Sequence, residues 1–299
     1  MTLVIIAGPT AVGKSEVAFE IAKELKGEIV SADSRQIYRF MNIGTAKPSS
    51  TFLDKIPHHL IDIINPDEEF SASLFKELAQ EKIADISSRR KIPILTGGCG
   101  LYINVITQGL FPLSPSSKEL RKKLGTKCSL LELYQKLREV DLETALKLSP
   151  NDKFRIIRAL EVYYLTGKKI SRLRKEETIK NNYRFLSIGL TVDRSLLYKK
   201  INERVEKMFK DGFLEEVKGL IKMGYSEDLS SMMSLGYKQV VKHLKEEISL
   251  EEAKLSIEKE TRNYAKRQVT WFKNKEKLKW FSPGEVSKII EEVRIFSNL

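Results

Sequence analysis

The chain has 299 residues, enough to bury a core and to hold one large domain beside a smaller one. Lysine and arginine number 52 against 40 aspartate and glutamate, a formal charge of +12. That excess suggests a polyanionic partner, nucleic acid first; the alternative is a surface merely rich in Lys and Glu. Two cysteines far apart, Cys99 and Cys128, exclude a disulfide framework and a Cys-rich zinc module. No apolar run approaches the roughly 18 residues of a membrane span, so no membrane partner is expected. The chain starts directly on a core strand, so the expectation is a cytoplasmic protein without signal or transit peptide.

In chain order, Leu3–Ala7 reads as a buried strand and Ser15–Ala22 as a helix. Between them stands Gly8-Pro9-Thr10-Ala11-Val12-Gly13-Lys14-Ser15, a G-x-x-x-x-G-K-S loop. Backbone N–H groups of such a loop converge on a phosphate, and the helix N-terminus adds partial positive charge. Lys14 then reaches the outer phosphate, and the Ser15 hydroxyl is the candidate Mg²⁺ ligand. Glu28–Ser31 is the next strand, which completes a βαβ unit and implies a parallel sheet. A loop follows at Asn42–Pro48, a short strand at Pro57–Asp62, and a helix from Phe70 to Arg89 with Ser71 as N-cap. Ile92–Thr96 is a buried strand ending in Gly97-Gly98-Cys99-Gly100, followed by a helix over Leu101–Thr107.

The pattern changes near Leu113–Ser117 to short, charged helices, with Leu130, Leu133, Leu137 and Val140 at helical spacing. Further helices are predicted over Asp141–Leu148 and Lys153–Thr166, the latter capped by Ser149–Asp152. Arg184–Val192 returns to strand. Arg194–Met223 is a long amphipathic helical region broken near Gly212, and Glu251–Asn274 is a second. The predicted fold is α/β: a P-loop NTPase-like parallel sheet flanked by helices over 1–115 and 185–299, with an all-helical insertion over 116–184.

Asp33 ends the second predicted strand on the sheet edge that carries the phosphate loop, the edge where such sheets bind ligands. It is a candidate catalytic base or metal-shell ligand; the alternative is a cap for the following turn, a role Ser34 could share. The strand at 92–96 ends in Thr-Gly-Gly where a P-loop NTPase often carries a metal-binding Asp, which disfavours ATP hydrolysis. Two glycines there let another group approach the backbone, or simply make a tight turn. Arg155 and Arg158 share a helix face; Arg121, Lys122 and Lys123 precede them and five basic residues follow over 168–175, with acidic residues sparse between 153 and 175. A flexible basic segment of this kind suits a phosphate backbone, the alternative being a solvated charged face. Tyr264, Arg267, Gln268 and Trp271 recur at spacings of three and four, a face able to stack on a base or to join the core.

Taken in order, Gly-Pro-Thr-Ala-Val-Gly-Lys-Ser at 8–15, Asp-Ser-Arg-Gln-Ile-Tyr at 33–38, Gly-Thr-Ala-Lys-Pro at 44–48 and Pro-His-His-Leu-Ile-Asp at 57–62 carry a resemblance. So do Gly-Gly-Cys-Gly-Leu-Tyr at 97–102, Arg-Ala-Leu-Glu-Val-Tyr at 158–163, Leu-Gly-Tyr-Lys-Gln at 235–239 and Thr-Arg-Asn-Tyr-Ala-Lys-Arg-Gln-Val-Thr-Trp-Phe at 261–272. Across nearly its whole length the chain resembles the bacterial tRNA dimethylallyltransferases, the isopentenyl-diphosphate transferase family. The resemblance implies dimethylallyl diphosphate, not ATP, on the loop residues Gly8, Thr10, Ala11, Val12, Gly13, Lys14 and Ser15, with Mg²⁺ as cofactor. It implies tRNA as acceptor, contacted by Asp33, Ser34, Arg35, Gln36, Cys99, Arg121, Arg155 and Arg158, and flipping of one adenine of the anticodon loop into a channel through the protein. Asp33, Cys99 and Arg204 are the catalytic residues it implies: Asp33 takes the proton of the attacking N6, and Arg204 faces the diphosphate. A monomer is the default expectation. Two positions depart from the family pattern: Cys99 stands where Thr is usual, and Lys238 where Arg is expected. A thiol is the weaker hydrogen-bond partner, and Lys lacks the bidentate fork of Arg. The competing readings are a small-molecule P-loop kinase, a prenyltransferase for free adenine nucleotides, and a non-enzymatic RNA-binding protein.

Overall fold

The computed structural model describes residues 1–111, 117–179, 181–275 and 277–298. The chain divides into two compact units, Met1–Thr107 with Asn182–Leu299, and Gln108–Asn181. The predicted domain boundary at 115/116 lies outside the described residues.

The larger unit is built on one six-stranded, all-parallel sheet in the order β3-β2-β4-β1-β5-β6. Its strands are β1 (Thr2–Ala7), β2 (Glu28–Ser31), β3 (His58–His59), β4 (Pro93–Gly97), β5 (Arg184–Leu190) and β6 (Lys279–Phe281). Leu3 to Ala7 are all fully buried, because β1 is central and covered on both faces; hence its unbroken apolar run. Helices α1 (Lys14–Glu24), α2 (Ser50–Lys55), α3 (Ala72–Ser88) and α4 (Gly100–Thr107) alternate with the first strands. The Ser71 hydroxyl caps α3 by accepting from Leu74 N at 3.1 Å, as its position predicts.

The smaller unit is all helical: α5 (Lys118–Lys127), α6 (Leu130–Val140), α7 (Leu142–Lys147), α8 (Lys153–Thr166) and α9 (Ile170–Glu176). Leu133, Leu137, Ile156 and Leu160 form its core. The basic segment read as flexible is therefore ordered into α8 and α9. The main chain then re-enters the sheet through β5 and continues into α10 (Arg194–Lys210), α11 (Phe213–Lys222), α12 (Tyr237–Leu244), α13 (Leu250–Lys275) and α14 (Val286–Ser297). Gly212, at φ 98°, makes the predicted break between α10 and α11.

The predicted strand at 57–62 shrinks to two residues, since Leu60 and Asp62 take positive φ values of 63° and 55° and leave the sheet. Elements α2, α12, β6 and α14 had no sequence assignment. Among the described residues no helix is long and apolar enough to cross a membrane.

Because the strands are parallel, the ends of β1, β2 and β4 lie side by side on one edge. Gly97 closes β4 so tightly under Ala32 that a Cβ there would lie 2.2 Å from the Ala32 carbonyl oxygen. The contact is with backbone, which has no rotamer to yield. Gly97→Ala is expected to cost at least about 1–3 kcal/mol in urea unfolding; an unchanged midpoint would show that the two strand ends can separate freely.

Candidate active site

Three strand ends supply the site. After β1, the chain turns through Gly8 (φ 152°), Ala11 (φ 62°) and Gly13 (φ 106°) into the first turn of α1. A Cβ at Gly8 would stand 2.7 Å from the Leu190 carbonyl oxygen, so this turn needs glycine. Val12 is buried in the core, which leaves its backbone as its offering to a ligand. Lys14 Nζ donates to the Pro9 carbonyl at 2.7 Å, folded back over the loop. Ser15 stands exposed one residue further on.

After β2 comes Asp33, whose Oδ1 accepts from Arg35 N at 2.8 Å and Gln36 N at 3.4 Å. The carboxylate thus caps its own turn and faces the loop: the two readings of this residue are compatible. Its second oxygen has no hydrogen-bond partner among the described residues, and its charge acts on Lys14, Arg204, Cys99, Tyr102 and Tyr264. After β4 comes Gly98, and the carbonyl of Gly98 meets α13. There Gln268, buried, donates from Nε2 to Gly98 O at 2.8 Å while its Oε1 accepts from Thr10 N at 2.8 Å. A Cβ at Gly98 would lie 2.3 Å from Gln268 Nε2, and one at Gly100 2.3 Å from Trp271 Nε1. Both glycines admit α13 to the sheet edge. The face Tyr264–Trp271 is thus divided: Gln268 and Trp271 pack inward, while Tyr264 lines the cleft with Arg267 stacked 5.8 Å from its ring centre.

One cleft is lined by Thr10, Lys14, Ser15, Asp33, Gln36, Thr45, Ala46, Pro48, Arg204 and Tyr264, among others. A second, wider cleft opens beyond the phosphate loop and is lined by Gly13, Glu16, Lys47, Lys200 and Lys207 among others. The two share Lys14, Ser15, Ala46, Pro48 and Arg204 as a common wall. Arg204, on α10, donates from Nη1 to Thr10 Oγ1 at 3.1 Å.

The electrostatics suit an anion. Burial pushes the Lys14 amine down to about 8, with Arg204 adding to the fall and Asp33 opposing it. Burial likewise lowers Arg204 against the pull of Asp33. Two cations held in a desolvated pocket attract any group that restores negative charge beside them. Burial, joined by Asp33, raises the Cys99 thiol, against the N–H groups of Tyr102 and Leu101 and the Ser34 hydroxyl that face it. Cys99 stands just before the first turn of α4. Burial also raises Tyr264, with Asp33 and Cys99, and Tyr102, with Cys99 and Tyr38.

The structure thus gathers Gly8–Ser15, Asp33, Ser34, Cys99 and Arg204 around one sheet edge. Arg35 Nη1 donates to Ser230 O at 3.2 Å, and Gln36 Nε2 to Ala46 O at 3.1 Å. In the helical unit, Arg121 and Arg158 meet at Glu161: Arg121 Nε donates to its two oxygens at 3.0 and 2.9 Å, and Arg158 pairs with Oε2. Glu161 is fully buried, and these arginines with Ser117 N hold its carboxylate below the usual range despite its burial. The sparse acidic residues of this segment are therefore decisive in placement, not merely few. Arg155 stands apart, paired with Asp152. Lys238 pairs with Glu260 at 2.7 Å. Glu161, Glu216 and Tyr102 had no role in the sequence reading.

A parallel sheet whose first strand leads through a glycine loop into α1, with an acid after β2, defines an α/β protein with a P-loop-like fold. The family model for IPP transferase matches residues 36–275. The chain belongs to that family. It is 50% identical over 299 residues to the tRNA dimethylallyltransferase of Caldanaerobacter subterraneus subsp. tengcongensis, covering 98% of this chain and 95% of that one. The corresponding protein of Halothermothrix orenii is 44% identical, covering 99% and 93%. Among solved structures, the full-length tRNA isopentenylpyrophosphate transferase of Bacillus halodurans superposes with a TM-score of 0.75 at 37% identity, covering 99% and 97%. A eukaryotic dimethylallyltransferase described as acting on tRNA superposes at 0.82 and 27% identity, covering 99% of this chain and 78% of that one.

The low pKa of Lys14 gives a sign that can be checked. Below about pH 8 the amine is already charged; above it, a bound anion must recharge it. Pyrophosphate binding should therefore weaken and take up an additional proton as pH rises from 7 to 9. Calorimetry in buffers of different ionisation enthalpy measures the uptake. Lys14→Arg, charged throughout, should lose that increment; equal uptake by both proteins at pH 9 would contradict the assignment.

Proposed function

We propose that this chain transfers a dimethylallyl group from dimethylallyl diphosphate to N6 of the adenosine 3′-adjacent to the tRNA anticodon, position 37, giving N6-isopentenyladenosine and pyrophosphate. The observation that carries the reading is the single cleft in which Asp33 faces Lys14 and Arg204 across the phosphate loop, in a chain of this family. The curated relatives are tRNA dimethylallyltransferases at up to 50% identity over nearly the whole chain, which makes tRNA the acceptor.

The chemistry follows from the charges. The bond between allylic C1 and the diphosphate oxygen breaks as the N6–C1 bond forms. Negative charge then grows on the leaving pyrophosphate, where the loop N–H groups, Lys14 and Arg204 await it. The exocyclic N6 is a weak nucleophile because its lone pair is delocalised into the ring. Loss of its proton to the unengaged oxygen of Asp33 as the new bond forms completes the transfer. Cys99, beside Asp33, offers the amine a weak thiol contact. Arg121 and Arg158, fixed by Glu161, and Arg155 supply cations for the tRNA backbone.

The exposed Ser15 hydroxyl on the first turn of α1 fits magnesium, which keeps several waters and draws its other ligands from phosphate. Among the described residues no cluster of three or more His, Cys, Asp or Glu competes as a metal cage. When bound, the ion supplies further neutralisation of the diphosphate. The reading is of a cytoplasmic monomer.

A kinase is less well supported, because β4 ends in glycines occupied by Gln268 where a metal-binding carboxylate would stand. Asp33→Ala is expected to fold, to retain tRNA in filter binding, and to lose transfer of label by at least about a hundredfold. Turnover near the parent value would remove Asp33 as the base.

A further inference from the structure

The start of the loop after β2 that walls the cleft is held by one carboxylate. Glu216, on α11, accepts from three successive backbone N–H groups: Asn42 at 2.8 Å, Ile43 at 2.7 Å and Gly44 at 3.1 Å. Its Oε1 also accepts from the buried Tyr237 hydroxyl at 2.6 Å. Phe213 and Tyr237 close on Gly44 so tightly that a Cβ there would lie 2.2 Å from Phe213 Cε2. The start of the loop is therefore fixed in height by packing and in orientation by Glu216.

The rest of the loop has its polar groups already engaged. Thr45 Oγ1 donates to Met41 O at 2.6 Å, and Lys47 Nζ to Tyr38 O at 2.6 Å, to Asn42 Oδ1 at 2.8 Å and to Asp62. Lys47 is thus an anchor and not a phosphate ligand. Thr45, Ala46 and Pro48 line the cleft, with Ile29 and Ile61 as its other aliphatic residues and Ser31, Gln36 and His58 beside them. Ala46 and Pro48 line both clefts together with Lys14, where the diphosphate charge belongs. The loop also reaches the base: Ala46 O accepts from Gln36 Nε2 at 3.1 Å, and Gln36 N donates to Asp33 Oδ1.

We propose that Glu216 is a positioning residue for the donor: by orienting Asn42–Gly44 it sets the wall Thr45–Pro48 against the prenyl group, without touching substrate. This rests on the reading of the cleft as the prenyl diphosphate site. A carboxylate that accepts four hydrogen bonds has no neutral equivalent, since an amide offers one acceptor oxygen where the carboxylate uses two.

The test compares Glu216→Gln and Tyr237→Phe with the parent protein in steady-state transfer, with inorganic pyrophosphate binding and thermal midpoint measured alongside. In Glu216→Gln the KM for dimethylallyl diphosphate should rise about tenfold. Pyrophosphate affinity and the KM for tRNA should stay within about twofold, because Glu216 bonds Asn42, Ile43, Gly44 and Tyr237, none of which belongs to the phosphate loop or to the tRNA contacts named above. Tyr237→Phe, which removes one of four donors, should show the same selectivity at smaller size. A thermal midpoint that falls with no change in donor KM would overturn the proposal, as would parallel losses for prenyl donor, pyrophosphate and tRNA; both mark a merely structural residue. A parent protein that transfers no prenyl group would overturn the site reading itself, and this inference with it.

Discussion

One buried side-chain amide holds the site together. Gln268 bonds Thr10 across 258 residues of chain and Gly98 across 170, so the turn after β1, the end of β4 and the long helix α13 become one rigid piece. An amide is suited to this because it both donates and accepts, and each half meets a backbone group that burial would otherwise leave unpaired. The glycines at 98 and 100 are the other half of the arrangement, since any larger residue would push α13 off the edge. The phosphate loop thus does not rely on its own sequence alone for its position.

Around that frame the protein concentrates opposite charges. Lys14 and Arg204 are both held in burial deep enough to weaken their protonated forms, with Asp33 as the main opposing charge. A site of two desolvated cations is poised for an anion, and most strongly for the extra charge that appears on a leaving diphosphate. The same Asp33 is tethered through one oxygen to its own turn, which fixes its direction without consuming the other oxygen. Rigid placement and free basicity are both met by one short loop.

How much of this was legible depended on the range of the interactions. The glycine loop, β1, β2, Asp33 and the capped helix α3 were readable because their signals are local: a short motif, an apolar run, a capping residue three positions before its N–H. Gln268 was visible only as one member of a helical stripe, since its partners lie in distant segments. Glu161 was overlooked because one acidic residue among many basic ones looks negligible until burial places it between Arg121 and Arg158. Glu216 reads as an ordinary exposed-face glutamate of α11 until its contacts with Asn42, Ile43 and Gly44 are seen. The strand at 57–62 was overextended, because the apolar residues Leu60 and Ile61 continue past the point where the chain turns to positive φ. The resemblance reached the family and the reaction; the physical ties that make the site rigid came only with the fold.

The central claim is that this cleft joins a prenyl diphosphate to an adenosine of tRNA. It is tested most directly by incubating the protein and Mg²⁺ with radiolabelled dimethylallyl diphosphate, unmodified tRNA and, in parallel, AMP. Label is expected in tRNA, confined to the adenosine on the 3′ side of the anticodon, and none in AMP. Label in AMP alone, or in neither acceptor from a folded protein, would contradict the claim.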